Sequence, residues 1–200
     1  MTYATLKADV ANYLARDDLT SDIPTMIRLA ESMIRNDVRI ADMVRQTTMS
    51  VNAQRIAMPD NFLSAVSLYM DAQNKQVEFR TPYDFYNDTR NGLTGTPEIF
   101  TTEGSYFLFA PYTTDTTFAK LTYYQAYDQL SGDGDTNWLL QNHYDVYLFA
   151  ALAQAKAFIE DDEQAGKWAQ AYTLSVDKLH TSDRRGRFSG APMKRKGCPV

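Results

Sequence analysis

The chain has 200 residues, 44% of them hydrophobic and 22% charged, which suits one globular domain or a core domain with an inserted lobe and argues against wholesale disorder. A lone cysteine, Cys198, excludes an intrachain disulfide, and no run reaches the ~18 apolar residues of a membrane span. The formal charge of −5 is uneven: residues 181–200 hold six basic residues and one acid, and the rest of the chain is strongly acidic.

Residues 4–15 read as a helix, with Leu6, Val10, Tyr13 and Leu14 on one stripe. A second helix is predicted from Ser21-Asp22-Ile23-Pro24, where Ser or Asp can cap and proline fits the first turn. Its apolar face is Ile23, Ile27, Ala30, Ile34 and Val38, and the pattern carries it to 41 or 44. From Gln46 the period changes to that of short strands, at 47–51, 55–58, 62–70 and 76–79. Thr81-Pro82 opens a short helix to Tyr86, and Gly92, Gly95 and Pro97 mark a loop. A hairpin follows, with strands at 98–102 and 106–110 about Glu103-Gly104, then a strand at 118–124. Gly132-Asp133-Gly134-Asp135 is a turn, and Thr136-Asn137 caps a helix running from 138 to about 158. A last helix is predicted from Asp162 to Leu179, its acidic start matching the helix dipole.

The pattern predicts an α+β chain that is mostly a helical bundle, two N-terminal and two C-terminal helices, with a small antiparallel β lobe inserted and an extended C-terminal arm. The expected segments are 1–45 for the first helices, 46–135 for the lobe, 136–180 for the last helices and 181–200 for the arm.

Catalytic and metal chemistry find little support in these residues. The two histidines, His143 and His180, form no spacing with cysteine or a second histidine that a metal would use. Cys198 has no nearby base. The loop at Asp133 fails the EF-hand pattern, because Trp138 and Tyr144 stand where glycine and glutamate are needed. Glu160-Asp161-Asp162-Glu163 reads as a solvated helix start, and Tyr123, Tyr124 and Tyr127 as core or contact residues. The reading is therefore no enzyme, no cofactor and no metal. The feature with functional content is the tail: Arg184, Arg185, Arg187 and Phe188, then Met193, Lys194, Arg195 and Lys196, combine charge with apolar anchors. Such a segment docks into an acidic groove of a protein partner, binds nucleic acid through phosphate contacts, or serves only as a solvated, unstructured end.

Several phrases together resemble the adaptor, or head-to-tail connector, proteins of short-tailed phages. They are Tyr3-Ala4-Thr5-Leu6-Lys7, Ile23-Pro24-Thr25-Met26-Ile27-Arg28-Leu29-Ala30-Glu31, Ile56-Ala57-Met58-Pro59-Asp60-Asn61-Phe62-Leu63 and, most specifically, Thr136-Asn137-Trp138-Leu139-Leu140 followed by Tyr144-Asp145-Val146-Tyr147-Leu148. The resemblance implies a structural virion protein at the head–tail junction, synthesised in the host cytoplasm. It implies twelve copies ringing the lower end of a portal protein, with the C-terminal segment as portal-docking arm. Tail nozzle or tail fibre proteins would sit on the opposite face, DNA would pass through the channel without specific binding, and no membrane would take part. The alternative reading is a nucleic-acid-binding protein that uses the basic tail.

Overall fold

The computed structural model describes residues 1–16 and 18–188, which fall into two compact units. One unit comprises Met1–Asp42 and the chain from Tyr127 onward; the other is Met43–Ala126.

The first unit is helical, with α1 at Tyr3–Leu14, α2 at Ile23–Asp37, α4 at Trp138–Asn142, α5 at Tyr144–Phe158 and α6 at Asp162–Phe188. Thr2 and Thr5 cap α1 reciprocally, and Ala15 closes it in a left-handed conformation at φ 52°. The α2 stripe of Ile23, Met26, Ile27, Ala30 and Ile34 is buried. This helix stops at Asp37, earlier than its periodicity suggests. The Arg39 guanidinium donates to the Arg35 and Val38 carbonyls, at 2.6 and 2.7 Å, and so takes up acceptors that a further turn would have used. A 3-10 turn at Ala41–Met43 follows.

Helix α5 lies at the centre of the unit and packs against α6, α2, α1 and α4. It is apolar on nearly every side, with Val146, Tyr147, Leu148, Ala150, Ala151, Leu152, Ala153 and Ala155 buried, which is the composition of a helix enclosed by others. The single helix expected from 138 to 158 is broken at His143, whose φ of −136° and ψ of 57° are not helical, so α4 and α5 are separate.

The second unit holds eight strands: β1 Val44–Val51, β2 Arg55–Ala57, β3 Phe62–Met70, β4 Lys75–Gln76, β5 Glu78–Phe79, β6 Ile99–Glu103, β7 Tyr106–Ala110 and β8 Thr117–Gln125. They form two four-stranded sheets, ordered β1-β8-β3-β4 and β2-β7-β6-β5. Between the sheets lie Met49, Val51, Leu68, Met70, Val77, Phe100, Phe107, Phe109, Ala119, Leu121 and Tyr123. The outer face of the second sheet is covered by α3 at Pro82–Asn87, through Phe85 against Ile99, Leu108 and Ala110. Strand β7 is therefore buried on both faces. Gly104 makes the β6–β7 turn at φ 57°.

This overturns the expectation of a mainly helical bundle with a small antiparallel lobe. The fold is α+β with a sizeable two-sheet β structure. The expected lobe was also wholly antiparallel, whereas β5 pairs with β6 in parallel. The misjudged weight has a physical origin. The period-2 pattern marks individual strands, but the sandwich arises from pairings across the whole unit, such as Thr47 with Leu121 and Leu68 with Leu121. The extended arm is corrected too: α6 continues as helix through 181–188, nine residues past the Leu179 end that its apolar stripe marks. No described helix is long and apolar enough to cross a membrane.

Candidate docking surface

The basic segment picked out in the sequence begins on the last two turns of α6. Arg184 and Arg185 are exposed there. Arg187 pairs with Asp183 at 2.8 Å, one turn back in the order that favours such pairs. The other Asp183 oxygen accepts the Ala41 amide at 2.7 Å. One half-buried acid thus fixes the end of α6 to the segment leaving α2, and the acid that composition counted against the basic tail is what holds that tail's root. The Asp183–Arg187 spacing was visible in the sequence; the Ala41 amide was not.

Cationic residues at a helix C-terminus also suit the negative end of its dipole. Beside them is a cleft of about 380 Å³, lined by Ile40, Asp42, His143, Leu179, Asp183 and Arg187 among others. Of the predicted docking residues, Arg184, Arg185 and Arg187 are therefore gathered on one helix end. Phe188 ends that helix, but its side chain lies outside the described residues, as do Met193, Lys194, Arg195 and Lys196.

The remaining polar groups of this unit serve the fold. Glu31 is only 4% exposed. It accepts the Leu130 amide at 3.0 Å and faces the Tyr147 hydroxyl at 3.4 Å, while its backbone carbonyl accepts from Tyr127 at 2.7 Å. Burial raises its carboxyl above the ordinary glutamate value, against the pull of those hydrogen bonds. Asn137 completes the node by donating to the Tyr147 hydroxyl and the Asp128 carbonyl and by capping α4. Burial likewise pushes the Tyr147 and Tyr127 phenols up.

The glycine–aspartate turn seats the start of α1. Asp135 accepts from the Ser131 and Gly132 amides, its carbonyl takes the Tyr3 amide at 2.9 Å, and Asp133 pairs with Lys7 at 2.5 Å. In the acidic run, Asp161 accepts from the Gln164 amide, and Glu163 pairs with Lys167. These acids sit at the start of a helix with local partners, an arrangement the dipole favours by itself.

An aromatic cluster that the sequence reading did not single out lies where α1, α5 and α6 meet. Tyr13 stands edge-on to Trp168 at 5.7 Å, and the Phe149 ring lies 5.7 Å from the indole, tilted by 32°. Tyr144 ties this corner together by donating to the Asp9 carboxylate.

A family model described as SU10 adaptor protein matches residues 1–196. No curated protein matches the chain. With the match spanning nearly its whole length, the chain belongs to the SU10 adaptor protein family.

Proposed function

From that membership, we propose that the chain is a structural subunit of a phage virion and joins the portal of the head to the tail. The observation that carries the reading is the family match over residues 1–196, supported by a helix end that presents Arg184 and Arg185 to solvent. In this reading the segment that follows α6, including Met193, Lys194, Arg195 and Lys196, docks on the portal. Twelve copies form the ring, tail nozzle or tail fibre proteins bind the opposite face, and DNA passes through the centre. An acidic body suits such a passage, because it repels phosphate rather than retaining it. The role needs positioned surfaces and no chemical step, so we read the chain as a non-enzyme.

Co-sedimentation with the portal ring of the same phage tests this. Full-length protein should bind. A chain ending at Phe188 and an Arg184→Glu/Arg185→Glu variant should each bind more weakly. If the full chain ignores portal yet binds duplex DNA with steep salt dependence, lost when residues 189–200 are removed, the nucleic-acid reading replaces this one.

A further inference from the structure

The Tyr13–Trp168–Phe149 cluster is a surface feature beside the Tyr144–Asp9 hydrogen bond, which leaves the Asp9 carboxylate one oxygen for a further partner. Tyr13 is 56% exposed, and Phe149 and Trp168 are half-buried. Each side of the cluster carries a carboxylate one helical turn away, Asp9 before Tyr13 on α1 and Asp145 before Phe149 on α5, spacings that place side chains next to each other. Asp145 is exposed and takes part in no ion pair among the described residues. The nearby cations are already neutralised, Arg16 by Asp18 and Lys167 by Glu163. An aromatic face rimmed by net negative charge is the chemistry that receives a guanidinium, which stacks on an indole or phenol while pairing with a carboxylate.

The same unit displays guanidinium groups of the matching kind. Arg184 and Arg185 are exposed at the far end of α6 and form no ion pair among the described residues. They cannot reach the cluster of their own copy. From Trp168 to Arg184 is 16 residues of one continuous helix, roughly 24 Å along the axis and about 160° around it. A contact between the two surfaces must therefore form between copies. Because it joins unlike surfaces, it repeats head to tail and closes into a ring when the rotation permits.

We propose that Arg184 and Arg185 of one copy dock on the Tyr13–Trp168–Phe149 cluster of the next, with Asp9 and Asp145 as their counter-charges. The inference rests on the ring reading and specifies its subunit contact, leaving the residues beyond Phe188 for the portal.

The test uses two full-length variants, each lacking one surface: Tyr13→Ala/Asp145→Asn for the cluster and Arg184→Gln/Arg185→Gln for the helix end. Circular dichroism first confirms that both keep the wild-type fold, and sedimentation then follows association at concentrations up to about 1 mM, the weak end of measurable affinities. Wild-type protein should associate progressively, and each variant alone should associate about tenfold less tightly, the loss expected for a few exposed cation–π and ion-pair contacts. Mixed in equal amounts, the two variants should form pairs and stop there, since each supplies the surface the other lacks. Deleting residues 189–200 should leave association intact. Variants that associate like wild type, a mixture that forms no pairs, or association that depends on residues 189–200 would overturn the contact while leaving the ring reading standing. Wild-type protein that stays monomeric also overturns it, and portal co-sedimentation then decides the ring reading separately.

Discussion

In the helical unit, four tyrosine hydroxyls reach acceptors far away in sequence: Tyr127 to the Glu31 carbonyl, Tyr147 to the Glu31 carboxylate, Tyr144 to Asp9 and Tyr172 to Asp37. In the sheet unit the interior is closed by apolar side chains, with Phe100, Phe107 and Phe109 in mutual ring contact and Phe62 between Phe107 and Tyr123. The difference follows from backbone geometry. A sheet sets its own register through the hydrogen-bond ladder, so its core needs only volume and shape. An alanine-rich helix such as α5 offers neighbours a smooth surface on which several registers have similar packing. Directional polar contacts there select one arrangement, at the cost of burying a carboxylate.

The largest effect expected on breaking this contrast is in the sheet core. Phe107→Ala removes a ring with no solvent exposure and should lower stability by about 3–5 kcal/mol, read from chemical denaturation. Glu31→Ala comes next, because it leaves the buried Leu130 amide without its acceptor; about 1–3 kcal/mol should be lost. Amide exchange at Leu130 should accelerate, while exchange in β7 stays unchanged.

Glu31 also gives the helical unit a pH signature. Its carboxyl value is raised in the folded protein, so between the ordinary glutamate value and the raised one the folded state holds more protons than the unfolded state. Stability from this group is complete below that window and declines as pH rises through it. A Glu31→Gln variant should lack this decline, and parallel denaturation series across the acidic range read the difference. Tyr172→Phe, which deletes only a half-exposed seam's hydroxyl, should cost about 0.5–1.5 kcal/mol. Smallest of all, Arg184→Gln/Arg185→Gln should cost under about 1 kcal/mol, the loss of favourable charge near a helix C-terminus, since neither side chain forms an ion pair among the described residues. A large loss of stability there would mean that the helix end is part of the core and not a docking surface.

Elements governed by local periodicity were legible in advance. The Ile23–Ile34 stripe of α2, the Leu6–Val10–Leu14 stripe of α1 and the turn at Gly104 all follow from near neighbours. What escaped depends on distant partners. Arg39 ends α2 by folding back on carbonyls that the pattern would have kept helical. Asp183 keeps α6 helical at its end by reaching Ala41, 142 residues away, so residues that composition assigned to an extended tail belong to a helix. The candidate surface was half legible for the same reason. Charge marked Arg184, Arg185 and Arg187, but the Tyr13–Trp168–Phe149 cluster is drawn from three helices whose adjacency no short-range pattern encodes.

The most direct measurement is native mass spectrometry of the portal ring titrated with full-length protein. The account predicts saturation with twelve copies per ring, and weaker occupancy when residues 189–200 are absent. A portal ring that binds no copies, or only one or two at saturation, would contradict it.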